Sequence, residues 1–233
     1  MRYLRILMLA WSVAAVTGSR MWAGEETQRV AFSADRKSIV FIRSTPKILV
    51  ETALGQNQAT EIWTAKPDGR DARMLLRGHA GSTSERTLAG FSGAQFSPDG
   101  LRIYFLSDAW VTSSAVHVLD LRSGVEKYLC PGNSLEVVPR GKYAGYLMVE
   151  QHRYAMGGGS YDWLWLITPE GNSDGLISMD DPAATEAFRR INFKPEANGQ
   201  NHFAQRLPNN IQRANQVPAA AAPPAPGSLA DHH

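Results

Sequence analysis

Between residues 28 and 179 the apolar and polar positions fall into short runs of five to eight residues, alternating or wholly apolar. The runs are rich in β-branched and aromatic side chains, and clusters of Gly, Pro, Asp, Asn and Ser bound them. A period of two over such lengths predicts strands rather than helices. Three sets of four strands result. The first is 28–34, 38–43, 60–65 and 72–76. The second is 92–97, 101–107, 115–121 and 124–129. The third is 134–138, 142–149, 161–168 and 174–179. Ser97-Pro98-Asp99-Gly100 and Lys66-Pro67-Asp68-Gly69 place Pro where φ near −65° is wanted and Gly where the chain leaves a turn. Each set therefore reads as an antiparallel meander.

The sets repeat in sequence as well as in pattern. Phe32-Ser33-Ala34-Asp35-Arg36-Lys37-Ser38-Ile39-Val40-Phe41 returns as Phe96-Ser97-Pro98-Asp99-Gly100-Leu101-Arg102-Ile103-Tyr104-Phe105. Ile62-Trp63-Thr64-Ala65-Lys66-Pro67-Asp68-Gly69 returns as Leu164-Trp165-Leu166-Ile167-Thr168-Pro169-Glu170-Gly171. A supersecondary unit used repeatedly fixes an architecture but no activity. Four-stranded meanders in series are the blades of a β-propeller. The Phe-Ser-Pro-Asp-Gly phrase and the turns that follow it resemble the WD40-like β-propeller repeats of the TolB family of periplasmic translocation proteins. Phe96 to Leu129 matches that repeat nearly throughout. The first copy departs at Ala34 and Arg36-Lys37, and the third keeps only Pro139 and Gly141 of its first phrase.

The fold expected is all-β: a partial or small propeller of about three four-stranded antiparallel blades, with a short C-terminal helix and a disordered tail. Three blades make an open arc, whereas propellers typically close with four to eight. Bare end faces are disfavoured, so capping by flanking segments, association of several copies, or survival as a shortened three-sheet arc are the alternatives. Asp181 and Pro182 predict a helix start, and Phe188 and Ile191 are expected to cover one end face. Residues 180–194 read as this helix and a linker. From 195 to 233 the Pro, Ala, Asn and Gln content reads as disorder.

Residues 1–23 have the order of a signal peptide, with Arg2 and Arg5 before an apolar run from Ile6 to Val16. That run is too short to span a bilayer. The chain has 24 Lys+Arg against 22 Asp+Glu. Loss of Arg2, Arg5 and Arg20 with the leader leaves 21 against 22, and no basic run points to nucleic acid. An exported chain, periplasmic or secreted, with no transmembrane segment in its mature part is expected. Cys130 is the sole cysteine, so the core must hold without an internal disulfide.

In a meander, successive connections leave at opposite edges. The tight turns share one end, and the longer connections 44–59, 77–91, 107–114 and 150–160 share the other. Long connections on a rigid scaffold are where binding is usually placed. The candidates there are Arg77, His79 and Arg86, then Trp110, then His152, Arg153, Tyr154 and Tyr161 beside Gly157-Gly158-Gly159. The competing reading is a solvated hairpin whose aromatics fold back on the blade. Trp63 and Trp165, at equivalent repeat positions, read as packing between blades.

No catalytic constellation is found. The six histidines lack metal-ligand spacing. Gly90-Phe91-Ser92-Gly93-Ala94 falls short of a nucleophile elbow, and Gly157-Gly158-Gly159-Ser160 lacks the Lys of a phosphate loop. No cofactor is implied. The function expected is a non-catalytic binding module for a protein or cell-envelope partner. The alternatives are a propeller domain or remnant of a prolyl-oligopeptidase-like hydrolase or polysaccharide lyase, and a self-assembling homo-oligomer. In the enzyme reading, His79, Arg86, His152 and Arg153 line a substrate cleft.

Overall fold

The structure, a computed structural model, describes residues 30–52 and 55–193. The expected leader and tail lie outside the described residues. Twelve strands form three antiparallel four-stranded sheets, each in sequential order. Blade 1 holds β1 (Ala31–Phe32), β2 (Ile39–Thr52), β3 (Gly55–Ala65) and β4 (Arg73–Arg77). Blade 2 holds β5 (Ser92–Phe96), β6 (Arg102–Asp108), β7 (Ser114–Asp120) and β8 (Glu126–Pro131). Blade 3 holds β9 (Ser134–Val137), β10 (Leu147–Tyr154), β11 (Ser160–Ile167) and β12 (Ser173–Ser178), followed by helix α1 (Pro182–Asn192). This is a three-bladed propeller arc with its first strands β1, β5 and β9 adjacent on the inside.

The repeated phrase is a braced turn. Ser97 Oγ donates to Asp99 Oδ1, which also accepts from Leu101 N at 2.9 Å, while Arg102 N donates back to Ser97 Oγ at 2.9 Å. Ser33, Asp35, Lys37 and Ser38 reproduce the pattern at 2.7, 3.0 and 3.0 Å. The position after the Asp is left-handed in both, Gly100 at φ 71° and Arg36 at φ 57°. Glycine enters that region freely and arginine does not. Arg36 stacks over Phe32 at 5.0 Å.

Alternation sends successive residues of β6 to opposite wedges. Ile103 and Phe105, with Leu119, pack against Val40, Ile62, Leu88 and Phe91 on the side of blade 1. Tyr104 and Leu106 pack with Val116, Val118 and Cys130 against Leu135, Val137, Leu147, Val149 and Ile167 of blade 3. Blade 2 is thus apolar on both faces. The far side of blade 1 buries Val30, Ile39, Phe41 and Ala65 together. Helix α1 lies on the far side of blade 3. Asp181 caps it by accepting from Ala183 N, Arg189 pairs with Glu136 of β9, and Phe188 stacks on Tyr143 at 6.1 Å.

Four expectations change. Residues 44–59 are not a loose connection, because β2 and β3 pair from Ile39↔Ala65 out to Thr52↔Gly55 across a bulge after Thr45. Residues 150–160 are also largely strand, ending in a turn at 155–159. The strand foreseen at 142–149 starts only at Leu147, since Gly141 and Gly145 carry the chain through a compact turn in which Val138 N reaches Tyr146 O. Ile191 is 68% exposed, and the buried residue at the end of α1 is Asn192, whose side chain donates to Phe188 O.

Candidate functional site

The foreseen site residues share one end of the arc but fall into separate groups. Arg77 ends β4 and pairs with Glu61 at 2.7 Å. Trp63 Nε1 donates to the other Glu61 oxygen at 2.7 Å. Burial works to raise the Glu61 carboxyl, but these hydrogen bonds and the Arg77 charge outweigh it and hold it below its ordinary value. Arg77 is therefore spoken for by blade 1. His79 is exposed in the following connection, where its backbone bridges Leu88. Arg86 is exposed at the end of a short 3₁₀ turn, Ser84–Arg86.

Trp110 belongs to packing. It meets Tyr128 edge-on at 6.4 Å and starts an aromatic column through Tyr128, His117, Phe105 and Phe91, with centroid spacings of 5.8, 5.4 and 5.1 Å. Burial pushes the Tyr128 hydroxyl up to about 12. His117 is fully buried in this column with Nδ1 2.5 Å from Glu126. Its Nε2 has no partner among the described residues.

The β10–β11 hairpin, like the β2–β3 hairpin, outruns the strands that flank it. Strand β9 stops at Ser134↔Glu150 and β12 at Ser178↔Leu164. Beyond those points β10 and β11 continue alone as a two-stranded ribbon, through Gln151↔Trp163, His152↔Asp162 and Arg153↔Tyr161. A period of two splits its residues between faces. His152 and Tyr154 fall on one, with His152 Nδ1 2.8 Å from Asp162 and the two rings edge-on at 5.1 Å. Gln151, Arg153, Tyr161 and Trp163 fall on the other, in line with Trp165 inside the sheet. There Tyr161 and Trp163 stack at 4.0 Å, and the Arg153 guanidinium lies 4.0 Å from the Trp165 ring centroid. Such stacking contributes about 0.5–1 kcal/mol when exposed and more when desolvated.

Arg153 is also held from the side. Its Nε and Nη2 donate to Gln151 Oε1 at 3.2 and 2.5 Å, and Gln151 Nε2 donates to Pro131 O at 2.8 Å. These groups border a cavity of about 190 Å3 between blades 2 and 3, with Cys130, Ile167 and Ser173. Burial pushes the Cys130 thiol up to about 11, so it stays a neutral, inert wall. A second hollow, of about 330 Å3, lies at the tight-turn end between the Asp35 and Asp99 turns. Both carboxylates there are committed to their turns.

The structure thus brings Arg153 and Tyr161 together and leaves Arg77, His79, Arg86 and Trp110 elsewhere. His79 and Arg86 do not share a cleft with His152 and Arg153, because blade 2 stands between their connections. Trp163, next to Asp162 in the same candidate stretch as Tyr161, was not singled out as a site residue, although it shares the parity of Tyr161. Asp108, at the end of β6, gives no signal. Its carboxylate is pushed up by burial and, among the described residues, receives only Asn57 Nδ2, at 3.4 Å. It sits so close to Gly90 that a Cβ there would lie 1.9 Å from Oδ2. Among the described residues, no group of three or more His, Cys, Asp or Glu is placed to hold a metal ion. No described helix is long and apolar enough to cross a membrane.

No protein-family model matches the chain, and no curated protein matches it. Similar solved structures are β-propellers. TolB from Acinetobacter baumannii is 18% identical over 65% of this chain and 33% of its own, with a TM-score of 0.39. The β-propeller domain of the Trilobed protease from Pyrococcus furiosus is 12% identical, over 63% and 40%, with a TM-score of 0.40. An acylaminoacyl peptidase from Pyrococcus horikoshii is 11% identical, over 63% and 24%, with a TM-score of 0.41. The chain therefore spans between about a quarter and two fifths of the length of these three proteins.

Proposed function

We propose that the chain is an exported, non-catalytic, propeller-like binding module that engages a protein or cell-envelope partner through its long-connection end. The β10–β11 hairpin is the contact. The observation that carries this reading is the ladder of Arg153, Tyr161 and Trp163 on one face of a ribbon that has outrun its own sheet, seated on Trp165 at its base. Tyr, Trp and Arg held rigid are the residues that dominate binding energy at interfaces. The tip adds Tyr154, 71% exposed, and Met156, fully exposed. Export, to the periplasm or the medium, rests on the leader-like order of residues 1–23. Self-association of arcs is a further element of the proposal. Helix α1 occupies the far side of blade 3, which favours capping over direct blade-to-blade closure at that end.

The test is capture from an envelope extract of the expressing cells, with the affinity of any retained protein then measured. Losing one central aromatic costs about 2 kcal/mol or more, roughly 30-fold in affinity. The Tyr161→Ala/Trp163→Ala chain should release a partner that the unaltered chain retains. Equal retention at equal affinity would overturn the assignment of the site.

A further inference from the structure

We propose that Arg153 is the anchor of a receptor for a single carboxylate, seated at the mouth of the cavity between blades 2 and 3. The inference deepens the proposed function by naming the chemical group that the hairpin recognises.

The state of the guanidinium carries the inference. One edge, Nε and Nη2, is spent on Gln151 Oε1, and one face is spent on Trp165. Gln151 is itself buried and tied to the backbone of Pro131, so the brace cannot swing. The outer edge, Nη1 with the second N–H of Nη2, has no acceptor among the described residues. Nor does Arg153 have a carboxylate within ion-pair distance among them, whereas the half-exposed Arg77, Arg102 and Arg189 each have one. A long cationic side chain is costly to immobilise. Here it is immobilised with its charge unneutralised and two parallel donors aimed away from the brace. Two such donors match the two oxygens of a carboxylate, and pre-organisation lowers the entropy lost on binding.

The surroundings select the ligand. The cavity wall contributes no anion, since Cys130 remains a thiol. Ile167 and Pro131 offer an apolar floor for a carbon stem, and Ser173 adds a hydroxyl. The Trp165 Nε1–H, in the ring beneath the guanidinium, is a buried donor without a partner among the described residues. A volume of about 190 Å3 accepts a carboxylate and a few carbons, and falls below the roughly 300 Å3 at which pockets for whole small molecules begin. The ligand is thus one carboxyl-bearing residue of a larger partner, presented as an acidic side chain or as a chain terminus.

Tryptophan fluorescence of the full chain, titrated with three short alanine-based peptides, tests this. One peptide ends in a free carboxylate, one carries an internal Glu with both ends blocked, and one is fully blocked and neutral. Saturable binding near millimolar is expected for at least one carboxylate peptide, and none for the neutral one. The stronger of the first two identifies the source of the carboxylate. Arg153→Lys keeps the charge but loses the paired donors, and should weaken binding about tenfold or more. Arg153→Met keeps cover over Trp165, should abolish binding, and is checked by an unchanged melting temperature. Equal response to the neutral peptide, full affinity in Arg153→Lys, or no binding of either carboxylate peptide at 50-fold above millimolar would overturn the inference. The two readings fail separately: a partner lost on aromatic truncation but indifferent to Arg153→Met would leave the binding module standing without its carboxylate anchor, whereas a partner retained equally after aromatic truncation would overturn the wider reading.

Discussion

Replacing Phe105 by Ala tests whether the arc is one cooperative body. Phe105 is fully buried in the wedge between blades 1 and 2, edge-on to Phe91 at 5.1 Å and stacked over His117 at 5.4 Å. Truncating a buried Phe costs about 3–5 kcal/mol, the sum of lost transfer energy and the cavity left behind. This site cannot collapse cheaply, because the neighbours Ile103 and Leu119 are fixed by strand pairing on β6 and β7. The hole would also face the imidazole of His117, whose Nε2 is already without a partner among the described residues. For a body of this size about 2–4 °C is lost per kcal/mol, so melting should fall by roughly 6–20 °C. The assay is thermal unfolding followed in parallel by near-UV and far-UV circular dichroism. Leu147→Ala, in the opposite wedge, should lower the same single transition, since blade 2 contributes a face to each wedge. A loss below about 2 °C for Phe105→Ala would refute the packing argument. Two separate transitions, one moved by each variant, would refute cooperativity.

Two further outcomes follow from local geometry. Arg36 occupies the left-handed position that Gly100 fills in the second copy of the repeat. Arg36→Gly should therefore raise stability by about 0.5–1 kcal/mol, read as a shift in urea midpoint without a change in slope; a lower midpoint would contradict the strain. Burial raises the Asp108 carboxyl above its ordinary 3.8, so its ionisation costs the folded state stability as pH climbs from about 3.8 through the raised value. Asp108→Asn should match the unaltered chain near pH 3 and melt higher at pH 7. A variant that loses stability at pH 7 would show that the carboxylate is better satisfied than its 3.4 Å contact with Asn57 implies.

The parts of this fold that were legible in the sequence are those encoded over a few residues. The Ser97-Pro98-Asp99-Gly100 phrase specifies its turn through hydrogen bonds no more than five residues apart, and the alternation on β6 specifies which side chains enter which wedge. What escaped depends on distant pairing. The β2–β3 extension was hidden by the bulge after Thr45, which interrupts the period-two signal. Asp108 is unremarkable in sequence, because its burial exists only once Gly90 and Asn57 arrive beside it. Arg153 and Tyr161 were found for their residue types, but their partnership follows from register: Arg153↔Tyr161 and Gln151↔Trp163 share a face only in this pairing, and a slip of one residue would separate them.

The same register underlies the proposal that recognition falls on this hairpin. A residue within the four-stranded part of a blade has its side chain claimed by a wedge, as Val149 and Trp165 are. Past Glu150 and before Leu164, neither β9 nor β12 flanks the ribbon, and Gln151 ties it to the facing blade through Pro131 O. An isolated two-stranded ribbon is at best marginally stable, so this one needs its own bracing. It finds it in the Tyr161–Trp163 stack, in Arg153 on Trp165, and in Gln151 tied to Pro131 of blade 2. Groups that brace an exposed ribbon are rigid, aromatic and outward at once. The repeat supplies the platform, and the excess length of β10 and β11 over their neighbours supplies the face proposed for binding.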